Sequence, residues 1–309
     1  MSLLRASTFL AIAVATVAWS ATVDASPLPG QEAVFQQLPL NGGLAPSTGG
    51  AAYPGHASLS TATSDLIGLN FSGNYVADDF SYTATTPIWH VEWYGSYLNQ
   101  SDPLVGFLLA FETDNGGVPG AMVLNQTVAP GALSAGSGTF IETAIASPAG
   151  APQLYRYNAE LALPFLGNPD DVYWLKIVAL SGNGSDTQWG WQNRDYTFED
   201  TLASTVPVPG EANLPNGLGT DLWHFQNDAV TGDVSIIPLP GAGLAIVNQT
   251  GADPPSYQDT TAGPSGISSF GQDMAFSLYT VPVPEPSSLV LAGMGCVGLI
   301  WTLHRKRRR

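Results

Sequence analysis

The chain has 309 residues, of which nine are basic and 25 acidic, and its formal net charge is −16. Six of the nine basic residues lie outside residues 26–281, which combine three basic residues with 23 acidic ones. Such a surface repels phosphate backbones, which excludes nucleic-acid binding by this stretch. The single cysteine, Cys296, lies in a C-terminal apolar run, so residues 26–281 contain no disulfide.

The N-terminus has the pattern of a signal peptide. Arg5 precedes an apolar run, and small residues follow it up to Ala25. This pattern predicts a cleaved signal peptide over residues 1–25, and an earlier cut near Ser20 or Ala21 fits nearly as well. A retained membrane anchor is the alternative, but the apolar run is short for crossing a bilayer.

The composition of the middle of the chain predicts an all-β fold. Residues 26–65 are rich in small and polar residues without periodicity, which predicts a low-complexity lead-in that is loosely ordered. Over residues 66–281, short apolar stretches alternate with Gly- and Pro-rich turns. We therefore predict a jelly-roll-like β-sandwich in one domain, with a two-domain split as the alternative. Residues 203–220 and 238–272 hold few large apolar residues and predict long loops.

Individual strands are indicated by period-two patterns. Trp89, Val91 and Trp93 alternate with their neighbours, which predicts a half-buried strand. The nearly continuous apolar run over residues 172–180 predicts a central strand. Further apolar faces are formed by Val105, Phe107, Leu109 and Phe111; by Met122, Leu124 and Val128; by Tyr155, Tyr157, Ala159 and Leu161; and by Met274, Phe276 and Leu278.

Neighbouring carboxylates are the candidate metal ligands. The three pairs are Asp78 and Asp79, Asp170 and Asp171, and Glu199 and Asp200. Each pair could help to bind calcium, which takes several oxygen ligands from irregular loops, but none has EF-hand spacing. Ordinary solvated or turn-capping acids are the simpler interpretation. No other cofactor is predicted.

No catalytic residue is predicted. The chain lacks the Gly-x-Ser-x-Gly elbow, the His-Glu-x-x-His pair and the phosphate-binding loop, and His90 and His224 have the setting of packed or surface side chains. A secreted hydrolase with two carboxylates across a cleft remains an alternative.

Aromatic residues offer a second alternative. Trp189, Trp191 and Trp223 could line a platform on which sugars stack, as in a carbohydrate-binding module. The alternation of Trp189 with Trp191 equally predicts two side chains packed in a core.

The C-terminus combines a proline-rich stem, an apolar run and a basic end. Pro284, Glu285 and Pro286 precede an apolar run over residues 287–303, which is just long enough to cross a membrane as a helix. The basic end consists of Arg305, Lys306, Arg307, Arg308 and Arg309. Because basic residues favour the cytoplasmic side, we predict a transmembrane helix over residues 287–303 with the ectodomain outside.

This arrangement resembles the PEP-CTERM sorting signal of exported proteins in Gram-negative-type bacteria. The resemblance implies that Pro284, Glu285 and Pro286 form a recognition motif for exosortase, a membrane protease of the transpeptidase type. It also implies a substrate rather than an enzyme: after signal peptidase and transient anchoring in the inner membrane, the protein reaches the cell surface or an exopolysaccharide matrix. An ordinary single-pass anchor and a polybasic nuclear or nucleic-acid patch are the alternatives.

Several short phrases also resemble exported all-β domains that accompany this signal. They are Tyr75–Phe80, Trp93–Gly95, Asp114–Gly120, Trp189–Trp191 and Asp273–Phe276. The resemblance supports the fold and implies no activity. The sequence therefore predicts a non-enzymatic extracellular module with a structural or adhesive role.

Overall fold

β-Strands are the only regular secondary structure in the described part of the chain. The computed structural model describes residues 28–39, 57–65, 70–81, 85–147, 153–169, 171–194, 229–239, 243–253, 257–258 and 273–281. Within these ranges there are fifteen strands and no helix, which confirms the predicted all-β class. In chain order the strands are β1 (Glu32–Gln37), β2 (Ala57–Leu59), β3 (Thr61–Ser64), β4 (Phe71–Phe80), β5 (Ile88–Asn99), β6 (Gly106–Asp114), β7 (Pro119–Pro130), β8 (Thr139–Ala144), β9 (Leu154–Phe165), β10 (Tyr173–Ser181), β11 (Gln188–Gln192), β12 (Val230–Leu239), β13 (Gly243–Asp253), β14 (Tyr257–Gln258) and β15 (Phe276–Thr280).

Two layers of strands make the fold sandwich-like. In the first layer the order is β13, β12, β4, β10, β6 and β7, with β3 inserted between β4 and β10 at one end. In the second layer β8, β9 and β5 are neighbours. The far edge of β5 is shared, since β15 pairs with its first half and β11 with its second half. A short parallel pairing of β7 with β8 joins the two layers.

A single serine bridges the point where β4 and β10 separate. The two strands are hydrogen-bonded up to Val76 and Ile177, and beyond these residues β3 lies between them. Ser60, which directly precedes β3, donates its hydroxyl to the carbonyl of Ile177 and accepts the amide N–H of Val76 at 2.9 Å. The hydroxyl therefore satisfies two backbone groups that would otherwise lose their partners in a buried position.

The main core lies between the two layers. β10 is buried along its whole length, as its continuous apolar run predicted, and it has bonded neighbours on both sides. Aromatic rings fill much of the space, with Phe107 touching both Trp93 and Trp189 at ring-centre distances of 5.0 Å. Edge-to-face contacts of this kind suit the charge distribution of aromatic rings.

A second apolar cluster covers the outer face of the first layer. It consists of Ala62, Phe71, Tyr75, Ala77, Leu108, Trp174, Val178, Leu180, Val230, Val234 and Ile236, with Leu244 and Ile246 packed against it. β13 is bonded to β12 at one edge of the layer, yet its Leu244 carbonyl accepts a hydrogen bond from Asn125 of β7 at the other edge, at 3.2 Å. The β12–β13 hairpin, here strands 230–239 and 243–253, therefore curves across the outer face and closes it.

Two predicted boundaries differ from the structure. The expected lead-in, residues 26–65, contains β1, β2 and β3, and Phe35 of β1 is fully buried in the main core. The expected loop at 238–272 contains β13 and β14. Both segments are poor in large apolar residues, which is why their composition predicted a lead-in and a loop. Their few apolar side chains contribute to cores built mainly by other strands. The expected signal peptide, the loop at 203–220 and the helix at 287–303 lie outside the described residues.

Some predicted strand faces are also corrected. Phe107, Leu109 and Phe111 are fully buried as predicted, but Val105 precedes β6 and is 50% exposed. Met122 is 39% exposed. In β5 a register shift between Ile88 and His90 interrupts the alternation, so that Ile88 joins the core.

No helix able to cross a membrane occurs in the part of the chain that the structure describes.

Candidate functional site

The predicted sorting segment leaves the fold from a strand that is bonded on both edges. β15 pairs with β5 on one side and with β1 on the other, and it ends at Thr280. Val281, the last described residue, is 47% exposed. The recognition residues and the basic end begin beyond this point, outside the described residues: Pro284, Glu285, Pro286, Arg305, Lys306, Arg307, Arg308 and Arg309.

The candidate calcium ligands within the described residues do not converge. Asp78 and Asp79 are consecutive residues of β4, so their side chains leave opposite faces of the strand. Asp171 is exposed and accepts a hydrogen bond from the amide of Asn168 at 2.9 Å, whereas Asp170, Glu199 and Asp200 lie outside the described residues. Among the residues that the structure describes, no group of three or more His, Cys, Asp or Glu side chains could hold a metal ion.

Asp78 instead joins the two layers. It lies between Val76 and Phe80, which face the main core, and one of its carboxyl oxygens accepts the amide N–H of Met274 at 2.7 Å. Met274 lies two residues before β15, which belongs to the second layer. Burial, followed by the charges of Asp273 and Asp79, holds the pKa of Asp78 well above its ordinary value. The nearby guanidinium of Arg194, which forms an ion pair with Asp273 at 3.1 Å, acts in the opposite direction.

Two of the three tryptophans considered for sugar stacking lie in the main core. Trp189 and Trp191 of β11 are both fully buried. The indole N–H of Trp189 donates to the hydroxyl of Tyr157 at 3.0 Å, and that of Trp191 donates to the carbonyl of Ala275 at 2.9 Å. Neither ring therefore presents a face to a ligand. Trp223 lies outside the described residues.

A buried polar cluster lies on β5 and β9. The alternation of residues in β5 predicted a strand that is only half-buried. The imidazole of His90 contacts Glu160 through Nδ1 at 2.8 Å and Asn158 through Nε2 at 3.0 Å. Beside it, Glu92 accepts a hydrogen bond from the hydroxyl of Tyr94 at 2.7 Å, and burial raises the pKa of Glu92. Both ring nitrogens of His90 are engaged within the protein, an arrangement that holds strands together rather than presenting a base or a metal ligand.

A second buried polar cluster lies beneath the β12–β13 hairpin. Lys176 of β10 is fully buried, and its ammonium nitrogen contacts Glu112 of β6 at 2.7 Å and the side-chain carbonyl of Gln249 of β13. The Gln249 side-chain N–H donates in turn to the other carboxyl oxygen of Glu112 at 3.4 Å. Burial lowers the pKa of Lys176, although the Glu112 charge partly opposes this effect.

This second cluster was not predicted, although the sequence contains one signal for it. Lys176 is a lone basic residue inside the apolar run 172–180, and a charged side chain in a central strand needs a buried partner. The identity of that partner was not available from the sequence, because Glu112 and Gln249 are 64 and 73 positions away.

Comparison with known proteins gives two family matches. Residues 56–215 match a family described as a domain of unknown function, DUF7901. Residues 282–308 match the PEP-CTERM protein-sorting motif. No curated protein and no solved structure matches the chain. The first match spans β2 to β11, and the second begins two residues after β15 ends.

Proposed function

The chain belongs to the DUF7901 family and ends in a PEP-CTERM sorting motif, and from this premise we propose that it is a structural or adhesive protein of the cell surface or extracellular matrix. The motif marks an exported protein directed to the surface and sorted by exosortase. In our proposal a signal peptide over residues 1–25 starts export, and a helix over residues 287–303 holds the chain in the inner membrane until it is cleaved.

The position of the sorting motif is the observation that carries this proposal. The last strand within the described residues ends at Thr280, and Val281 after it is exposed. The motif begins directly afterwards, at residue 282. The basic residues at the end of the chain favour the cytoplasmic side, which leaves the β-sandwich outside.

The proposed role of the ectodomain is non-enzymatic. Of the tryptophans in the described residues, Trp93, Trp174, Trp189 and Trp191 are fully buried and Trp89 is half-buried. A lectin-like platform needs exposed rings, so these positions support a packed structural module. The chain crosses repeatedly from one layer to the other, for example between β4 and β5 and between β9 and β10. These crossings also support the jelly-roll-like arrangement. Exopolysaccharide in the matrix is the partner that we propose for such a module.

Replacement of Glu285 by Gln tests the sorting step. We expect the variant to be inserted normally, because the apolar run and the basic end are unchanged. Cleavage should fail, so that a full-length membrane species retaining Arg309 accumulates in the native host. Mass spectrometry of the membrane and surface fractions measures this outcome. Glu32→Gln, at an exposed position of β1, removes one negative charge elsewhere and should leave processing unchanged.

Two results would separate the proposal from its rival. If surface protein from the unmodified host still carries its C-terminal helix and Arg309, the tail is an ordinary single-pass anchor. If Ser residues replace the five basic residues, orientation in the membrane should weaken, which is a different defect from the one expected for Glu285→Gln.

A further inference from the structure

Three side chains at the contact between the β12–β13 hairpin and the first layer contain the groups needed to form an amide bond. Lys176 supplies a primary amine, Gln249 supplies a carboxamide, and Glu112 supplies a carboxylate that contacts both. The amine lies in hydrogen-bond contact with the carbonyl oxygen of Gln249, one bond from the carbonyl carbon. Holding two reacting groups together in this way replaces an encounter in solution by a step within one molecule.

The burial of Lys176 favours its use as a nucleophile. The side chain is fully buried, and its nitrogen lies 4.3 Å from the centre of the Tyr75 ring. Tyr75 is itself buried, and its hydroxyl donates to the carbonyl of Gly251 in β13 at 2.8 Å, which holds the hairpin over the site. Burial lowers the pKa of Lys176, so the neutral amine that can attack a carbonyl is easier to reach than in water.

We propose that Lys176 and Gln249 join in an intramolecular isopeptide bond, with Glu112 transferring the protons. Nζ of Lys176 attacks Cδ of Gln249, the new N–C bond forms, and the bond from Cδ to Nε2 breaks. One oxygen of Glu112 contacts the attacking nitrogen and the other contacts the leaving nitrogen, so the carboxylate can accept a proton from the first and donate it to the second.

The reaction is balanced without any further reactant. A lysine ammonium and a glutamine carboxamide give a secondary amide and an ammonium ion, and Glu112 ends as the carboxylate that it was at the start. No oxidation or reduction occurs. The departing ammonia can reach solvent because Gln249 is only half-buried.

The bond would fix the hairpin to the centre of the first layer. Lys176 lies in β10 and Gln249 in β13, 73 positions apart, so the cross-link closes a long loop. Cross-links that close long loops restrict the unfolded chain, which stabilises the native state. Residues 26–281 contain no cysteine, and an isopeptide bond would give this exported stretch a covalent cross-link that disulfides cannot provide. The inference does not depend on how the tail is sorted.

The unmodified protein provides the primary test. The mature protein, purified from the native host and denatured, should have an intact mass lower by one ammonia than its sequence predicts. Proteolysis should yield one branched peptide in which the segment containing Lys176 is linked to the segment containing Gln249, identified by tandem mass spectrometry. A full mass with both segments recovered as separate peptides would overturn the proposal.

Variants distinguish the cross-link from other losses of ammonia. Succinimide formation at Asn115–Gly116 or Asn183–Gly184 also releases ammonia, but it produces no branched peptide. Glu112→Gln keeps the size of the side chain and removes the proton carrier, so the branched peptide should disappear and the intact mass should equal that calculated from the variant sequence, with no ammonia lost.

Gln249→Met should give the same result, and near-ultraviolet circular dichroism of both variants reports whether the fold is retained. Asn248→Met is the matched control, because it replaces the neighbouring exposed carboxamide and should leave the cross-link intact. A branched peptide that survives in Gln249→Met would also refute the assignment.

Discussion

Asp78 shows how one side chain can couple the two layers of the sandwich. Its carboxyl lies in the main core and accepts the amide N–H of Met274 from the other layer at 2.7 Å. The charges of three groups act on its pKa, namely those of Asp273 and Arg194 from the opposite layer and that of Asp79 of the same strand. Burial and the two carboxyl neighbours favour the protonated form of Asp78. This buried acid therefore differs from the solvated acids on the surface.

The raised pKa of Asp78 makes the stability of the fold depend on pH. The native state holds a proton that the unfolded state releases above the ordinary value of 3.8, so the contribution of Asp78 is present at low pH and is lost as pH rises through the folded pKa. Asp78→Asn mimics the protonated form and should therefore lose less stability over that rise. Urea unfolding of both proteins at several pH values measures the difference. Parallel pH profiles would contradict the prediction, and Asp171→Asn, at an exposed position, should behave like the wild type.

The β12–β13 hairpin is the element whose position depends most on close backbone contact. Gly232 of β12 lies so close to its neighbours that an added Cβ would meet the carbonyl oxygen of Thr250 at 2.0 Å and the ring of Tyr75 at 2.8 Å. Only glycine allows the two strands of the hairpin and β4 to approach in this way. The hairpin covers Lys176, so the amine of Lys176 stays buried only while the hairpin is packed against the first layer.

Replacement of Gly232 by Ala should therefore loosen the hairpin. We expect a loss of about 1–3 kcal/mol in the free energy of unfolding, the usual cost of forcing extra atoms into a packed position. Hydrogen exchange of the β12 and β13 amides should become faster than in the wild type, while that of β9 stays unchanged. Gly182→Ala is the matched control, because its added Cβ would make only an ordinary contact of 3.8 Å with Val105. Equal exchange rates in the two variants would refute the prediction.

At the scale of the whole molecule, the fold is longer than the family match. Residues 56–215 include β2 to β11, yet the main core also contains Phe35 of β1 and Phe276 and Leu278 of β15. β15 also supplies hydrogen bonds to half of one edge of β5. Within the described residues, the structural unit therefore extends at least from β1 to β15.

A chain restricted to residues 56–215 should fail to fold cooperatively. It lacks β1, β12, β13, β14 and β15, which leaves half of one edge of β5 and one edge of β4 unpaired. A chain of residues 28–281 should instead show one sharp thermal transition by circular dichroism and dispersed amide resonances by nuclear magnetic resonance. A cooperative transition in the shorter chain would show that β1 and β15 are accessory to the fold.

The sequence by itself determined the all-β class, the central position of β10 and the sorting motif. Each of these depends on local information: alternation and continuity of apolar residues report which faces of a strand are buried, and a sorting enzyme reads a linear segment. Local information failed where a segment contributes little apolar surface of its own. β1, β3 and β13 are such segments, because their neighbours supply most of the cores that they complete.

Only the tertiary structure decided which polar residues meet. Lys176, Glu112 and Gln249 come from three different strands, and Asp78 finds its partner 196 positions away. Strand order and register bring these side chains together, and neither is encoded by the spacing of residues along one strand. The same reason explains Trp189 and Trp191: their alternation fits both a sugar platform and a core, and only the first layer packed over them makes them core residues.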